Sequence, residues 1–332
     1  MSKLNIMTPS FFKKLGPISV DQISSSIDCK LINVPKDDYY DNFVSISNIK
    51  DNSLSFLYDN EKIKLNLPLS SGIICTKKKA NELDPNLKKF IVDNVQKAVA
   101  KISNIFYRDY TEEEKGNISD PLIDESCEIG NNVVIENGVV IGKNVKIRHG
   151  AIIKINCVIG NGTVIDSNSV ISNSILHEDV YIGSNTSIGQ RGFGFFLSNK
   201  NIDIYHIGRV LLQSNVSIGS GCTIDRGSFS DTVIGKNTYF DNLCHVAHNV
   251  EIGSNAAFAA MTGIAGSAKI GNGVLTGGQT GIAGHIKIGN NVQIAAKSGV
   301  FQNLDDGEKV MGNPAVNKYN FIKNYKKIYG KK

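Results

Sequence analysis

The chain has no tryptophan and only seven prolines in its 332 residues. It also lacks any apolar run of the ~18 residues that a membrane-crossing helix requires, so a spanning segment is not expected. The six cysteines (Cys29, Cys75, Cys127, Cys157, Cys222 and Cys244) form no Cys-x-x-Cys pair. Their scatter predicts buried free thiols in a reducing compartment. Neither Gly-x-x-x-x-Gly-Lys-Ser/Thr nor Gly-x-Gly-x-x-Gly occurs, which argues against phosphate loops of those types, and Gly192-Phe193-Gly194 is only a fragment of one. A net charge of +5 is too mild to mark a nucleic-acid binder. The first residues carry lysines but no apolar core of a secretory signal, so the expected location is the cytoplasm.

Glycine, by contrast, is plentiful: 32 residues, without a collagen period. The glycines punctuate a six-residue beat. Every sixth residue from Ile234 reads Ile234, Phe240, Val246, Ile252, Phe258, Ile264, Ile270, Thr276, Ile282, Ile288, Ile294, Val300, and only Thr276 is not bulky and apolar. A hexapeptide period is the signature of a parallel β-helix, in which short strands wind around a narrow apolar shaft. Three hexads make one coil, so residues eighteen apart stack at about 4.8 Å, the spacing of paired strands.

The same beat runs earlier, from Ile129 through Ile135, Ile141, Ile147, Ile153, Ile159 and Ile165 to Ile171. It shifts before Ile182 and Ile188, then breaks at QRGFGFFLSNKNIDIYHIGR, about one coil's length of chain that reads as a loop thrown out from the shaft. Ile218 and Ile224 resume it, and four extra residues at 228–231 bulge out before Ile234. Residues 1–110 lack the hexad and read as an N-terminal α/β domain, with SLSFLYD alternating like a strand. Asp93-Asn94 opens a helix with Val95, Ala98, Val99, Ile102, Ile105 and Phe106 on one face. Residues 111–122 read as a polar linker and 123–312 as the shaft. Residues 313–332 read as a short lysine-rich C-terminal helix with Tyr319, Ile322, Tyr325 and Ile328 on one stripe. The expected class is mainly β.

Of six histidines, His245, His248 and His285 fall in the regular coils. Eighteen and thirty-six residues beyond His248 stand Gly266 and Gly284, the latter next to His285. An imidazole beside bare backbone is open to a ligand, and exposed N–H groups there suit an oxyanion. His245 heads a rival column, Gly263, Gly281 and Gly299, and the arithmetic does not choose between the two. Asp225 and Asp241 are placed either to pair with a histidine or simply to form turns.

The stretches GQRGFGF, IGRV, GCTIDRGSFSDTVIG, DNLCHVAHNVEIG, GHIKIG and GNPAVNKY resemble the UDP-3-O-acylglucosamine N-acyltransferase family of lipid A biosynthesis, over about residues 177–320. SGIICTKKKA and IVDN extend the likeness into the first domain. The resemblance implies a left-handed parallel β-helix, a homotrimer with active sites between subunits, and transfer of a 3-hydroxyacyl chain from acyl carrier protein to the 2-amine of UDP-3-O-acylglucosamine. It implies no cofactor and no metal. By the same likeness His248 of the AHN motif is the general base, and the backbone of Gly266 is the oxyanion donor. His285, Asp241, Asn242 and Phe56 bind substrate, with Phe56 in a uracil-binding first domain. Asp59 and Lys62 stand where the family has Asn and Tyr, and His245 replaces a residue that is usually not histidine.

Three other readings fit a hexapeptide shaft. An acetyl-CoA-dependent sugar N-acetyltransferase is the nearest. A metal hydratase like the gamma-class carbonic anhydrases would need three histidine ligands. A non-catalytic or ice-binding solenoid would show a flat column of repeated threonines, and the outward columns here are mixed.

Overall fold

The computed structural model describes residues 10–61, 67–312 and 323–327. The hexads form the expected shaft. Strands of mostly two residues wind into three parallel faces of nine, ten and nine strands. In the regular two-residue strands the first residue points outward and the second inward, as in Glu251–Ile252 or Lys269–Ile270. All twelve hexad residues from Ile234 to Val300 are buried, Thr276 included. They form one continuous core, because each coil alone exposes an apolar face that only the next coil covers. Register over the regular section is eighteen residues, as in Glu251 to Lys269 to Lys287.

The corners are set by left-handed residues. Asn132, Asn144, Asn156, Asn168, Asn185, Asn215, Asn237, Asn249, Asn255 and Asn291 all have φ between 54° and 61°. Asparagine is the non-glycine residue most tolerant of that conformation, because its short amide bonds locally.

Three departures from eighteen explain the breaks in the beat. Ile159 pairs with Leu176, one residue short of a full coil, so the apolar phase moves back by one. Leu176 pairs with Leu212, so eighteen extra residues leave the shaft here. Val210 pairs with Thr232, which accounts for the four-residue bulge at 228–231. The first coil is frayed: Ile129, read as inward, is 43% exposed, with no preceding coil to cover it.

The N-terminal residues build a five-stranded sheet in the order Lys30–Ile32, Lys88–Ile91, Gly72–Cys75, Ser53–Phe56, Asn42–Phe43. The helix Val95–Phe106 packs on it, started by the Asn94 side chain accepting from the Lys97 N–H at 2.9 Å. Five of its six expected inward residues are buried, and Ile105 is half-buried. The polar stretch read as a linker holds a capped helical turn, Glu112–Gly116, and Leu122 already pairs with Val140.

Residues 323–327 are helical and exposed, and the rest of the expected C-terminal helix lies outside the described residues, as does Lys62. All six cysteines are free, four buried and two half-buried. No helix among the described residues is long and apolar enough to cross a membrane.

Candidate active site

Two excursions from the shaft meet the first domain. The eighteen-residue one carries a hairpin, Phe195–Phe196 against Ile202–Asp203. Side chains of the helix Val95–Phe106 hold it: Gln96 Nε2 donates to the Phe195 carbonyl at 3.2 Å and Asn104 Nδ2 to that of Asp203 at 2.9 Å. The four-residue bulge drives Phe229 into the aromatic core of the first domain, 5.0 Å from Phe43 and 5.1 Å from Phe56 between ring centroids. Its backbone is so tight that a Cβ on Gly227 would fall 1.6 Å from the Ser230 carbonyl oxygen. A bidentate Arg209–Asp231 pair closes it, with contacts of 3.1 and 2.7 Å.

Between these parts lies a cavity of about 980 Å³. One wall is the first domain, with Phe56, Tyr58 and Asn60; the other is the shaft, with His248, His285 and Lys287. Phe193, 84% exposed, stands at its rim. Burial and the nearby Glu61 push the Tyr58 hydroxyl up to about 12, so it is a neutral donor at any working pH.

His248 is half-buried, and its neighbours fix which ring nitrogen donates. Asn249 Nδ2 donates to the Ser230 carbonyl at 3.0 Å and to Ser230 Oγ at 2.8 Å, which fixes the amide and turns Oδ1 the other way. That oxygen accepts the Ser228 N–H at 3.0 Å and faces His248 Nδ1 at 3.0 Å. Nδ1 therefore carries a proton and donates, so in the neutral imidazole the free lone pair is on Nε2. Gly266 lies against that end of the ring: a Cβ there would fall 2.8 Å from Cε1 and 2.9 Å from Nε2. The Gly266 carbonyl accepts the His285 N–H at 3.1 Å, while its own N–H meets no protein acceptor among the described residues. A basic nitrogen and an unspent backbone donor thus sit side by side.

Residues 231–266 and 267–302 match the bacterial transferase hexapeptide family (six repeats), and residues 117–199 match the family described as the GMPPB C-terminal domain. The UDP-3-O-acylglucosamine N-acyltransferase of Caulobacter vibrioides (strain NA1000 / CB15N) is 47% identical over 79 residues, 24% of this chain and 23% of that protein. The enzyme of the same name from Maricaulis maris is 49% identical over 75 residues, 22% of each chain. The chain resembles UDP-3-O-acylglucosamine N-acyltransferases. The aligned stretches span about a quarter of the length of those relatives. Among solved structures, an Arabidopsis UDP-N-acetylglucosamine acyltransferase aligns with TM-score 0.49 and 22% identity, over 64% of this chain and 76% of its own. LpxA from Acinetobacter baumannii aligns with TM-score 0.45 and 26% identity, over 58% and 72%.

The structure brings together His248, Gly266, His285 and Phe56 of the residues singled out above. Asp241 and Asn242 sit elsewhere: both are exposed on another corner, where the Asn242 amide accepts the Ser220 N–H at 2.8 Å, and neither lines this cavity within one chain. His245 does stack on Gly263, Gly281 and Gly299, but on a flat face outside the cavity. Its Nδ1 lies 2.7 Å from Thr223 Oγ1 and its Nε2 3.8 Å from Asp225 Oδ2. Burial pushes the Asp225 carboxyl up, against the pull of His245, His248 and Arg226. No group of three or more His, Cys, Asp or Glu side chains among the described residues is placed to hold a metal ion.

Sequence reasoning missed Asn249, Ser228, Ser230 and His206. Stacking arithmetic relates residues a whole coil apart, and three of these four lie in excursions where no such count applies. Asn249 was legible only as the corner residue after a histidine.

Proposed function

We propose that the chain is an N-acyltransferase moving a 3-hydroxyacyl group from acyl carrier protein to the 2-amine of UDP-3-O-acylglucosamine, a step of lipid A biosynthesis. The observation that carries this is that His248, which lines the cavity, has its Nε2 end against Gly266, whose N–H is unspent. The amine attacks the thioester carbonyl carbon, and the oxyanion forms against the Gly266 N–H. His248 Nε2 takes the amine proton, and its imidazolium is stabilised by the Nδ1–H to Asn249. As the tetrahedral intermediate collapses, the C–S bond breaks and the proton passes to the departing phosphopantetheine thiolate. A positioned base supplies about 10²–10⁴ in rate and one oxyanion donor about 10²–10³.

The aromatic wall at Phe56 and Tyr58 suits a uracil base, and residues 1–110 take the role of a uridine-binding domain. His285 and Lys287 lie where the rest of a sugar nucleotide would run. The exposed lysines at 323, 326 and 327 offer a dock for an acidic carrier. In a homotrimer Asp241 and Asn242 would face a neighbouring copy's cavity rather than their own. The test is direct: purified protein, UDP-3-O-acylglucosamine and a panel of acyl-carrier thioesters, read by mass spectrometry. The expected product gains one acyl group as an amide. Products formed only from acetyl-CoA would replace this reading by the N-acetyltransferase one.

A further inference from the structure

His206 is wholly enclosed, with 0% of its surface exposed, although it belongs to an excursion and not to the shaft. Its Nδ1 accepts the Gly192 N–H at 3.2 Å. In a neutral imidazole Nε2 is then the donor, and its partner is Ser228 Oγ at 3.3 Å. The backbone N–H of the same Ser228 binds the Asn249 amide oxygen that fixes His248. The His206 ring also meets that of His248 edge to face, centroids 5.2 Å apart at 68°. Gly192 is pressed between them, since a Cβ there would fall 2.7 Å from His248 Cβ and 2.9 Å from His206 Cε1, and Gly194 lies against His206 alone.

We infer that His206 is a positioning residue for the imidazole of His248, closing a ring of contacts through Ser228 and Asn249. The inference rests on the reading of His248 as the base. Without His206 the His248 ring gains room to turn, and its Nδ1 no longer meets Asn249 alone. Neutrality is part of the arrangement, since a protonated His206 could not accept from Gly192. Burial first, then repulsion from His248 whenever that ring is protonated and from the Arg226 and Arg191 guanidiniums, holds its titration down to about 3. Arg226 donates to the His206 carbonyl, and Arg191 is paired with Asp203.

The test uses ¹⁵N-labelled full-length protein and reads the imidazole nitrogen shifts of His248. In the parent a single Nδ1–H tautomer is expected. In His206→Ala the other tautomer should rise to about a fifth or more. kcat should fall ~10-fold or more while KM for the sugar nucleotide stays within ~2-fold. His206→Gln, which can still accept from Gly192 and donate to Ser228, should recover most of both. A folded His206→Ala with parental nitrogen shifts and parental kcat overturns the inference. If that variant does not fold, Ser228→Ala opens the ring one link away, and unchanged shifts there overturn it equally. A parent protein with no acyl transfer would refute the proposed activity, while the nitrogen shifts would still decide the role of His206.

Discussion

From 234 to 300 and from 189 to 231 the chain solves opposite problems. The regular coils bury an inward residue at every sixth position and leave outward columns that are often bare, such as Gly263, Gly281 and Gly299. The interrupted stretch gives the shaft one coil, with Val210, Leu212, Ile218 and Ile224 in its core, and throws the rest of its length outward. It also supplies Ser228 and Ser230 around Asn249, His206 against His248, and Phe229 as the link to the first domain. The repeat provides His248 and the bare backbone of Gly266; the groups that orient His248 come from where the repeat fails. That division follows from geometry, because a strict period places identical surroundings on every coil, and a site needs surroundings that occur once.

Substitutions can break or sharpen this contrast. The largest effect is expected from His248→Ala, a loss of about 10³-fold in kcat with the fold intact, checked by acyl-transfer assay beside circular dichroism. Parental turnover in that variant would leave the cavity without its base.

Two phenylalanines compare the regions directly. Phe258, stacked on Phe240 at 4.6 Å inside the shaft, and Phe229, wedged into the first domain, should each cost about 3–5 kcal/mol on replacement by alanine in urea unfolding. Of the two, only Phe229→Ala should also raise KM for the sugar nucleotide, since Phe258 does not touch the first domain. Equal KM values would erase the distinction.

A third expectation concerns acid. His206 stays neutral in the folded protein down to about 3, whereas in the unfolded chain it titrates near 6.5. Below the unfolded value the unfolded state binds the extra proton, so this stabilising contribution is full above pH ~6.5 and declines as pH falls toward about 3. The slope approaches about 1.4 kcal/mol per pH unit. His206→Gln should flatten the stability curve between about pH 6 and 4, and an unchanged curve would count against a neutral buried imidazole.

The smallest contrast is between two glycines. Gly194→Ala should destabilise by about 1–3 kcal/mol through overpacking on His206, checked by thermal unfolding. Gly263→Ala places its methyl in open space and should shift stability by no more than about 0.5 kcal/mol.

The shaft was legible because burial repeats with period six, and even its irregularities show as phase errors: the lost residue before Leu176 and the added ones at 228–231. His248 and Gly266 were legible as neighbours by counting eighteen. His206 was not, since it reaches His248 through a loop whose path no period encodes. Nor was Asn249, whose amide orientation depends on what Ser230 offers it. Asp241 shows the limit in the other direction: its motif suggested the site, while the coil puts it on a different corner of the chain.

The eighteen-residue excursion leaves after Arg191 and returns at Val210, and at both points the ladder of neighbouring coils dictates where the chain must be. The hairpin tip between Phe196 and Ile202 is therefore free in length in a way that a loop inside a folded core is not, while Gly192, Gly194 and His206 are held against the site. Lengthening, shortening or exchanging that tip would leave every rung above and below in place, so it can be redrawn as a cassette. The four-residue bulge has no such liberty, because Phe229 must still reach the first domain, and its sequence is expected to tolerate far less redesign.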